Sequence, residues 1–190
     1  MLVYFIRHGE SENNSLGVYT GHMDVELTAR GVEEARAICD KLSDKNIQRV
    51  YSSDLSRAVS TAKEAIPGCT PILDKRLREI NIGSLSGKNI KDFRRNNPDF
   101  LPYLDNRDYT VFGGERDSDV LERLGGFIAE LSSESVDAVA VFCHGGLVHT
   151  TLEYALGVSF SPSSTHRPNC MIAVYELASN GKMKLLNWNL

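Results

Sequence analysis

Residues 2–10 read LVYFIRHGE, a continuous apolar run that ends in an arginine, a histidine, a glycine and an acid. The run from Leu2 to Ile6 has the length and composition of a fully buried strand. A polar stretch then continues from Arg7 to Asn14. We therefore expect a buried strand that leads directly into a catalytic loop.

The same order of strand and polar loop recurs twice along the chain. Residues 49–52 are a predicted strand followed by the loop SDLSRA, and residues 138–142 are a predicted buried strand followed by CHGG. Apolar residues at helical spacing predict four longer helices between and after these strands. The helices are predicted near residues 28–42, 55–66, 120–131 and 147–156, with a weaker strand at 71–73 and two final strands around Asn180-Gly181.

Strands that alternate with helices predict a three-layer α/β/α sandwich with a largely parallel central sheet. We expect a single domain over residues 1–190. Residues from about 84 to 115 interrupt the alternation with glycines, prolines and scattered aromatic residues, so we expect a small lid or insertion there. Ligands of such sheets bind beyond the carboxyl ends of the strands, so the three polar loops should share one pocket.

Composition restricts the classes of function. The net charge of −4 gives no field that would hold a polyanion, and no segment reaches the about 18 apolar residues of a membrane span. We therefore expect neither nucleic acid nor a membrane as a partner. The start of the chain lacks a secretory leader, which predicts a cytoplasmic protein with free thiols at its four dispersed cysteines. The sequence does not address oligomeric state and leaves a homodimer open.

Two arginines and two histidines lie in the three polar loops. A guanidinium presents a rigid fork of donors that matches two phosphate oxygens, so Arg7 and Arg57 predict a phosphate clamp. A neutral imidazole is a competent nucleophile near neutral pH, and a second imidazole can neutralise charge on the phosphoryl oxygens. We assign these roles to His8 and His144, and Glu79 is the candidate acid for the leaving alkoxide.

The loops also carry a series of motifs in a definite order. The series is Arg7-His8-Gly9-Glu10-Ser11 with Asn14, Leu27-Thr28 with Gly31, Ser52-Ser53-Asp54-Leu55-Ser56-Arg57-Ala58 with Thr61-Ala62, Leu77-Arg78-Glu79 with Gly83, Gly113-Gly114-Glu115, and His144-Gly145-Gly146. It resembles the motifs of the histidine phosphatase superfamily, in the phosphoglycerate-mutase-like branch. Six motifs in family order, within residues 2–156, make this resemblance specific.

The resemblance implies a covalent phosphohistidine on His8. It further implies a phosphate pocket made by Arg7, Asn14, Arg57 and His144, with Glu79 as proton donor and then as base for water. Neither a metal ion nor an organic cofactor is expected. Thr20, Gly21 and Gly145 are further candidates for substrate binding.

Gly146 separates the two activities of the branch, because the cofactor-dependent mutases usually carry asparagine at this position. The resemblance therefore favours a histidine acid phosphatase-type phosphoric monoester hydrolase, metal-independent, that acts on a small phosphorylated metabolite. Sugar phosphates, phosphoserine, phosphoglycerate and a nucleotide-loop phosphate of cobalamin synthesis all stay open as substrates. His22, Glu26 and Leu85-Ser86 stand where relatives often have glutamine, proline and Trp-Glu, which predicts an unusual substrate outside its phosphate.

Two other functions stay open: a cofactor-dependent phosphoglycerate mutase and a non-catalytic phosphate-binding module. His8 and Glu79 together argue against the module, since binding alone needs neither. Metal, serine-hydrolase and nucleotide-kinase alternatives lack their motifs, which are His-Glu-x-x-His, Gly-x-Ser-x-Gly and the Gly-x-x-x-x-Gly-Lys loop. Several side chains of the predicted lid could select an acidic substrate or could be solvated surface: Lys91, Arg94, Arg95, Tyr103, Arg107 and Tyr109.

Overall fold

The computed structural model describes residues 1–159 and 161–190, except for the side chain of Pro162. The strands are β1 (Leu2–Arg7), β2 (Arg49–Ser52), β3 (Ile72–Leu73), β4 (Ala138–Cys143), β5 (Ile172–Leu177) and β6 (Met183–Trp188). They form one sheet in the order β3-β2-β4-β1-β5-β6. The first four strands of this order pair in parallel. Strand β5 pairs antiparallel with both of its neighbours, β1 and β6. The predicted α/β fold with a largely parallel sheet is confirmed.

Helices cover both faces of this sheet. They are α1 (Glu12–Leu16), α2 (Ala29–Ala37), α3 (Cys39–Ser43), α4 (Ser56–Ala65), α5 (Ile90–Asn96), α6 (Leu101–Asp105), α7 (Asp117–Leu131) and α8 (Gly145–Leu156). Within the described residues, none of the helices is both long and apolar enough to cross a membrane.

Alternation along β1 explains the two helical layers. Val3 and Phe5 join a core cluster with α7 and α8, whereas Tyr4 and Ile6 join a second cluster with α2, α3 and α4. Successive strand side chains point to opposite faces of a sheet, so an apolar run without alternation must be covered on both sides. This is the three-layer arrangement that the sequence predicts.

The helix predicted over residues 28–42 is divided in two. Thr28 caps its start as expected, because the Thr28 hydroxyl accepts the N–H of Gly31 at 3.0 Å. The first helix ends at Ile38, where φ is −91° and ψ is −2°, and α3 begins at Cys39. Ile38, at this break, and Leu42, in α3, are both buried. Apolar spacing continues across the break, which is why the sequence pattern does not reveal it.

The segment between α4 and α7 is mostly irregular and includes α5 and α6. Three phenylalanines hold its centre together, since the ring centroids of Phe100 and Phe112 lie 5.1 Å apart and those of Phe93 and Phe112 lie 5.8 Å apart. Arg107, which is 5% exposed, pairs with Asp117 at 3.0 Å and so ties the segment to α7. The segment thereby has a fixed position beside the carboxyl ends of the strands.

Candidate active site

The carboxyl ends of β1, β2 and β4 lie side by side at one edge of the sheet. The N–H of His8 donates to the Cys143 carbonyl at 3.0 Å, and the N–H of Ser53 donates to the Phe142 carbonyl at 2.9 Å. These bonds continue the parallel pairing one residue beyond the strands. The three polar loops are therefore held together by the sheet itself.

A cavity of about 750 Å³ opens at this edge. It is lined by eight of the nine side chains or glycines that the sequence singles out: Arg7, His8, Asn14, Thr20, Gly21, Arg57, Glu79 and Gly145. The ninth, His144, is fully buried beside His8, with the two ring centroids 5.1 Å apart. The fold thus brings all nine residues to one place, with His144 behind the cavity wall.

His8 is held in one tautomer. Its Nδ1 lies 2.6 Å from the carbonyl oxygen of Gly9, and because a carbonyl only accepts, Nδ1 carries the proton and donates it. Nε2 then keeps its lone pair. Burial, with the positive charges of Arg57 and Arg7, holds the pKa of His8 well below its ordinary value. The ring is therefore neutral and nucleophilic at Nε2 near neutral pH.

The two clamp arginines both donate to backbone carbonyls, Arg57 as a buried side chain and Arg7 as a partly buried one. Arg57 is 1% exposed and donates to the carbonyls of Met23 at 2.8 Å and Gly21 at 2.9 Å. Arg7 donates to the Arg167 carbonyl, while its Nε is buried without a hydrogen-bond partner among the described residues. A buried guanidinium keeps its charge, so both arginines favour an anion in this cavity.

Two glycines of these loops bind other parts of the protein through their N–H groups. The N–H of Gly9 donates to the Thr61 hydroxyl at 3.0 Å, and the N–H of Gly146 donates to Glu79 Oε2 at 3.0 Å. A Cβ at Gly9 would lie 2.3 Å from the Gly31 carbonyl oxygen, so close backbone packing requires glycine there. Gly145 lines the cavity at the start of α8, where the helix dipole favours an anion.

His144 contacts a serine that sequence reasoning left without a role. The Nε2 atom of His144 lies 2.9 Å from the Ser53 hydroxyl, and its Nδ1 is buried with no partner among the described residues. Burial and the charge of Arg57 lower the pKa of His144 well below its ordinary value. His144 is therefore neutral until an anion approaches it.

Glu79 presents its carboxylate to the cavity from an irregular loop. Oε1 accepts the N–H of Ile80 at 2.9 Å, and Oε2 accepts the N–H of Gly146 at 3.0 Å. Each oxygen retains a second lone pair for a proton. The carbonyl of the same residue accepts from His22 Nε2 at 2.8 Å and from Arg123 at 3.1 Å. Sequence reasoning missed both of these contacts.

The outer part of the cavity is rich in arginine. The lining includes Arg94, Arg107 and Arg167 in addition to the two clamp arginines, against the two carboxylates of Glu79 and Asp105. Of the six side chains considered in the predicted lid, Arg94, Arg107 and Tyr109 line the cavity. The other three, Lys91, Arg95 and Tyr103, are exposed elsewhere. Over the described ranges, no three His, Cys, Asp or Glu side chains group in a way that could hold a metal ion.

Known proteins are similar to this chain in sequence and in fold. A protein of Hydrogenobacter thermophilus, provisionally named phosphoserine phosphatase 2, is 28% identical over 160 residues, which cover 82% of this chain and 79% of that protein. Phosphoglycerate mutase-like protein 4 of Arabidopsis thaliana is 29% identical over 167 residues, which cover 80% of this chain and 70% of that protein.

Among solved structures, a mycobacterial glucosyl-3-phosphoglycerate phosphatase in complex with VO3 superposes with a TM-score of 0.87 and 26% identity, covering 99% of this chain and 98% of that one. The model of the histidine phosphatase superfamily, branch 1, matches residues 3–190. This match over nearly the whole chain leads to one conclusion: this protein belongs to branch 1 of the histidine phosphatase superfamily.

Proposed function

We propose that this protein is a phosphomonoesterase that transfers the phosphoryl group of a small phosphorylated metabolite to His8 and then to water. The tautomer of His8 carries this proposal. Its Nδ1 proton is donated to the Gly9 carbonyl at 2.6 Å, which leaves the Nε2 lone pair for phosphorus in a cavity lined by Arg7 and Arg57.

In the first step, Nε2 of His8 attacks phosphorus and the bond between phosphorus and the ester oxygen breaks. Glu79 gives its proton to the leaving alkoxide, a contribution worth about 10²- to 10⁴-fold in rate. Arg7 and Arg57 hold the phosphoryl oxygens, and His144 adds positive charge once its ring has taken up a proton from solvent, a form that the neighbouring anion stabilises.

In the second step, the Glu79 carboxylate takes a proton from water, and the oxygen of that water attacks phosphorus. The bond between phosphorus and Nε2 breaks, His8 regains its neutral form, and inorganic phosphate leaves. The same carboxyl group thus acts as acid and then as base, which restores the enzyme without a cofactor.

The glycine at position 146 favours hydrolysis over a mutase reaction. A Cβ there would lie 2.1 Å from Glu79 Oε1, so the asparagine that resembling mutases usually carry is incompatible with the present position of Glu79. The structural neighbour described above is itself a phosphatase. Both observations support water as the acceptor.

The excess of arginine favours a substrate with a second acidic group. Burial and the nearby charge of Arg107 lower the pKa of Arg167, so an anion beside Arg167 would stabilise its charged form. The relatives are named for phosphoserine and glucosyl-3-phosphoglycerate, each of which carries a carboxylate. We further propose that residues of about 84–115 act as a lid over this group, in a cytoplasmic enzyme whose partners are metabolites rather than nucleic acid or membrane.

A steady-state screen tests the proposed function. The wild-type protein is assayed with EDTA against para-nitrophenyl phosphate and a panel of cellular phosphomonoesters. We expect phosphate release that survives EDTA, and faster turnover of phosphoserine than of phosphoethanolamine, which lacks the carboxylate. No release from any ester would contradict the proposal and would favour the mutase or the binding module.

A further inference from the structure

Glu79 lies in a stretch of backbone that no strand or α-helix fixes. It is placed between the 3₁₀ turns at Lys75–Leu77 and Gly83–Leu85. A general acid must nevertheless be held within hydrogen-bond reach of its leaving group. The stretch from residue 76 to residue 81, the acid loop, therefore needs support from elsewhere in the chain.

A guanidinium on α7 provides this support. Arg123 Nη1 donates to the carbonyls of Arg76 at 2.6 Å and Arg78 at 2.8 Å, and Nη2 donates to the carbonyl of Glu79 at 3.1 Å. Three carbonyls within four residues thus converge on a single side chain. No other contact described above binds the acid loop at so many points.

Glu115 completes the arrangement. Its two carboxylate oxygens accept from Arg123 Nε at 3.0 Å and Nη2 at 3.2 Å. Oε2 of Glu115 also accepts the N–H of Asn81 at 2.7 Å, and the N–H of Glu115 donates to the carbonyl of Asn81 at 2.8 Å. The acid loop is therefore bound to the Arg123–Glu115 pair at both of its ends, and all five guanidinium N–H groups have acceptors.

We propose that Arg123 is a positioning residue that holds Glu79 in place for proton transfer. This inference rests on the function proposed above. Arg123 does not line the cavity, so its hydrogen bonds reach the reaction only through the acid loop. Since a misplacement of about 1 Å can cost about 100-fold in rate, loss of Arg123 should impair the proton-transfer step and leave phosphate binding intact.

The test compares two kinds of leaving group in the variants Arg123→Met and Arg123→Lys. Para-nitrophenolate leaves without a proton from Glu79, whereas the alkoxides of phosphoserine, 3-phosphoglycerate and glycerol 2-phosphate need one. The quantity measured is kcat/KM, because it covers substrate binding and phosphorylation but not hydrolysis of the phosphohistidine. We expect kcat/KM to fall by about 10- to 100-fold for the alkyl esters and to change little for para-nitrophenyl phosphate.

Arg49→Met is the matched control. It removes a guanidinium that likewise pairs with a carboxylate, that of Glu134 at 2.8 Å. Arg49 begins β2, at the opposite end of the sheet from the cavity, and it lies outside both the acid loop and the cavity lining. We expect its kcat/KM for both kinds of ester to equal that of the wild type.

An equal fall for both kinds of ester, or no fall for the alkyl esters, would overturn the inference. Turnover of para-nitrophenyl phosphate shows in the same assay that a variant is folded. If Arg123→Met does not fold, the comparison of the two kinds of ester is made with Arg123→Lys. Glu79→Gln distinguishes a failure of this inference from a failure of the proposed function. Selective loss in Glu79→Gln without loss in either Arg123 variant defeats the inference alone, whereas wild-type protein without activity on any ester defeats the proposed function.

Discussion

The two sides of the cavity are built in different ways. The nucleophile side consists of the loops that carry His8, Arg57 and His144. These loops follow three adjacent parallel strands, and the pairing of β1 with β4 places Ile6 opposite Phe142 and Arg7 opposite Cys143. The acid side is irregular backbone tied to the guanidinium of Arg123. A sheet holds its loops through many equivalent backbone bonds, whereas the acid side depends on a few side chains. Substitutions should therefore disturb the acid side selectively and the nucleophile side only by removing a reacting group.

His8→Ala removes the reacting group and should have the largest effect. We expect kcat to fall by at least about 10³-fold for every ester, since no other group in the cavity replaces Nε2. Binding of inorganic phosphate, measured by isothermal titration calorimetry, should remain, because the arginines are unchanged. Turnover near the wild-type value would show that His8 is not the nucleophile.

Glu79→Gln should have the next largest effect, and only on esters that need a proton. We expect kcat/KM for phosphoserine to fall by about 10²- to 10⁴-fold, with a much smaller change for para-nitrophenyl phosphate. Parallel assays of the two esters measure this ratio. Equal losses would mean that Glu79 supports binding or structure and does not act as the acid.

Gly146→Ala tests the contact between the two sides. The new Cβ would lie 2.1 Å from Glu79 Oε1, and since this atom ends a flexible side chain, the carboxylate moves while the fold survives. We expect kcat/KM for alkyl esters to fall by about 10- to 100-fold with little change in Tm.

Gly126→Ala is the control for Gly146→Ala. Gly126 also lies in a helix, but a Cβ there meets nothing within 4 Å. This variant should keep full activity. If Gly146→Ala were as active as Gly126→Ala, Glu79 would not need its present position.

Thr61→Val tests a side-chain hydrogen bond on the nucleophile side. The fully buried hydroxyl of Thr61 accepts the N–H of Gly9 at 3.0 Å and donates to the Arg57 carbonyl at 2.7 Å. Valine has the same shape but leaves the Gly9 N–H unpaired, which should cost about 1–3 kcal/mol of unfolding free energy. Urea denaturation measures this loss. An unchanged free energy of unfolding would mean that the loop does not depend on this bond.

The smallest effect is the pH dependence of stability. His8 and His144 both have a pKa lowered by burial, so below about pH 6.5 the unfolded chain binds protons that the folded chain does not. The free energy of unfolding should therefore fall as pH decreases below this value, by up to about 1.4 kcal/mol per pH unit for each histidine. Urea denaturation at pH 7.5 and at pH 5.5 measures the two free energies of unfolding. The difference between them should be smaller in His144→Gln. A higher free energy of unfolding at pH 5.5 than at pH 7.5 would contradict the claim that His8 and His144 are held neutral in the folded protein.

The sequence predicted the nucleophile side well, because the information there is local. Buried strands followed by polar loops predict that His8, Arg57 and His144 converge, whichever side chains complete the core. The division of a helix at Ile38 could not be predicted, since Ile38 and Leu42 keep the spacing of one continuous apolar face.

The support of the acid loop was also not predicted, although one signal was present. Val120, Leu124 and Phe127 form the buried face of α7, and Arg123 lies on that same face at helical spacing. A charged residue on a buried helical face requires polar partners. The sequence does not reveal that these partners are the carbonyls around Glu79, because they lie more than 40 residues away along the chain.

The covalent intermediate tests the central claim most directly. The Glu79→Gln variant, which should accumulate the phosphorylated protein, is mixed with para-nitrophenyl phosphate, quenched in alkali and analysed by intact-protein mass spectrometry and peptide mapping. A double variant that also carries His8→Ala is the control. We predict one phosphoryl group per chain, attached to His8 and absent from the control. Phosphate on another residue, or none while para-nitrophenol is still released, would contradict the proposed mechanism.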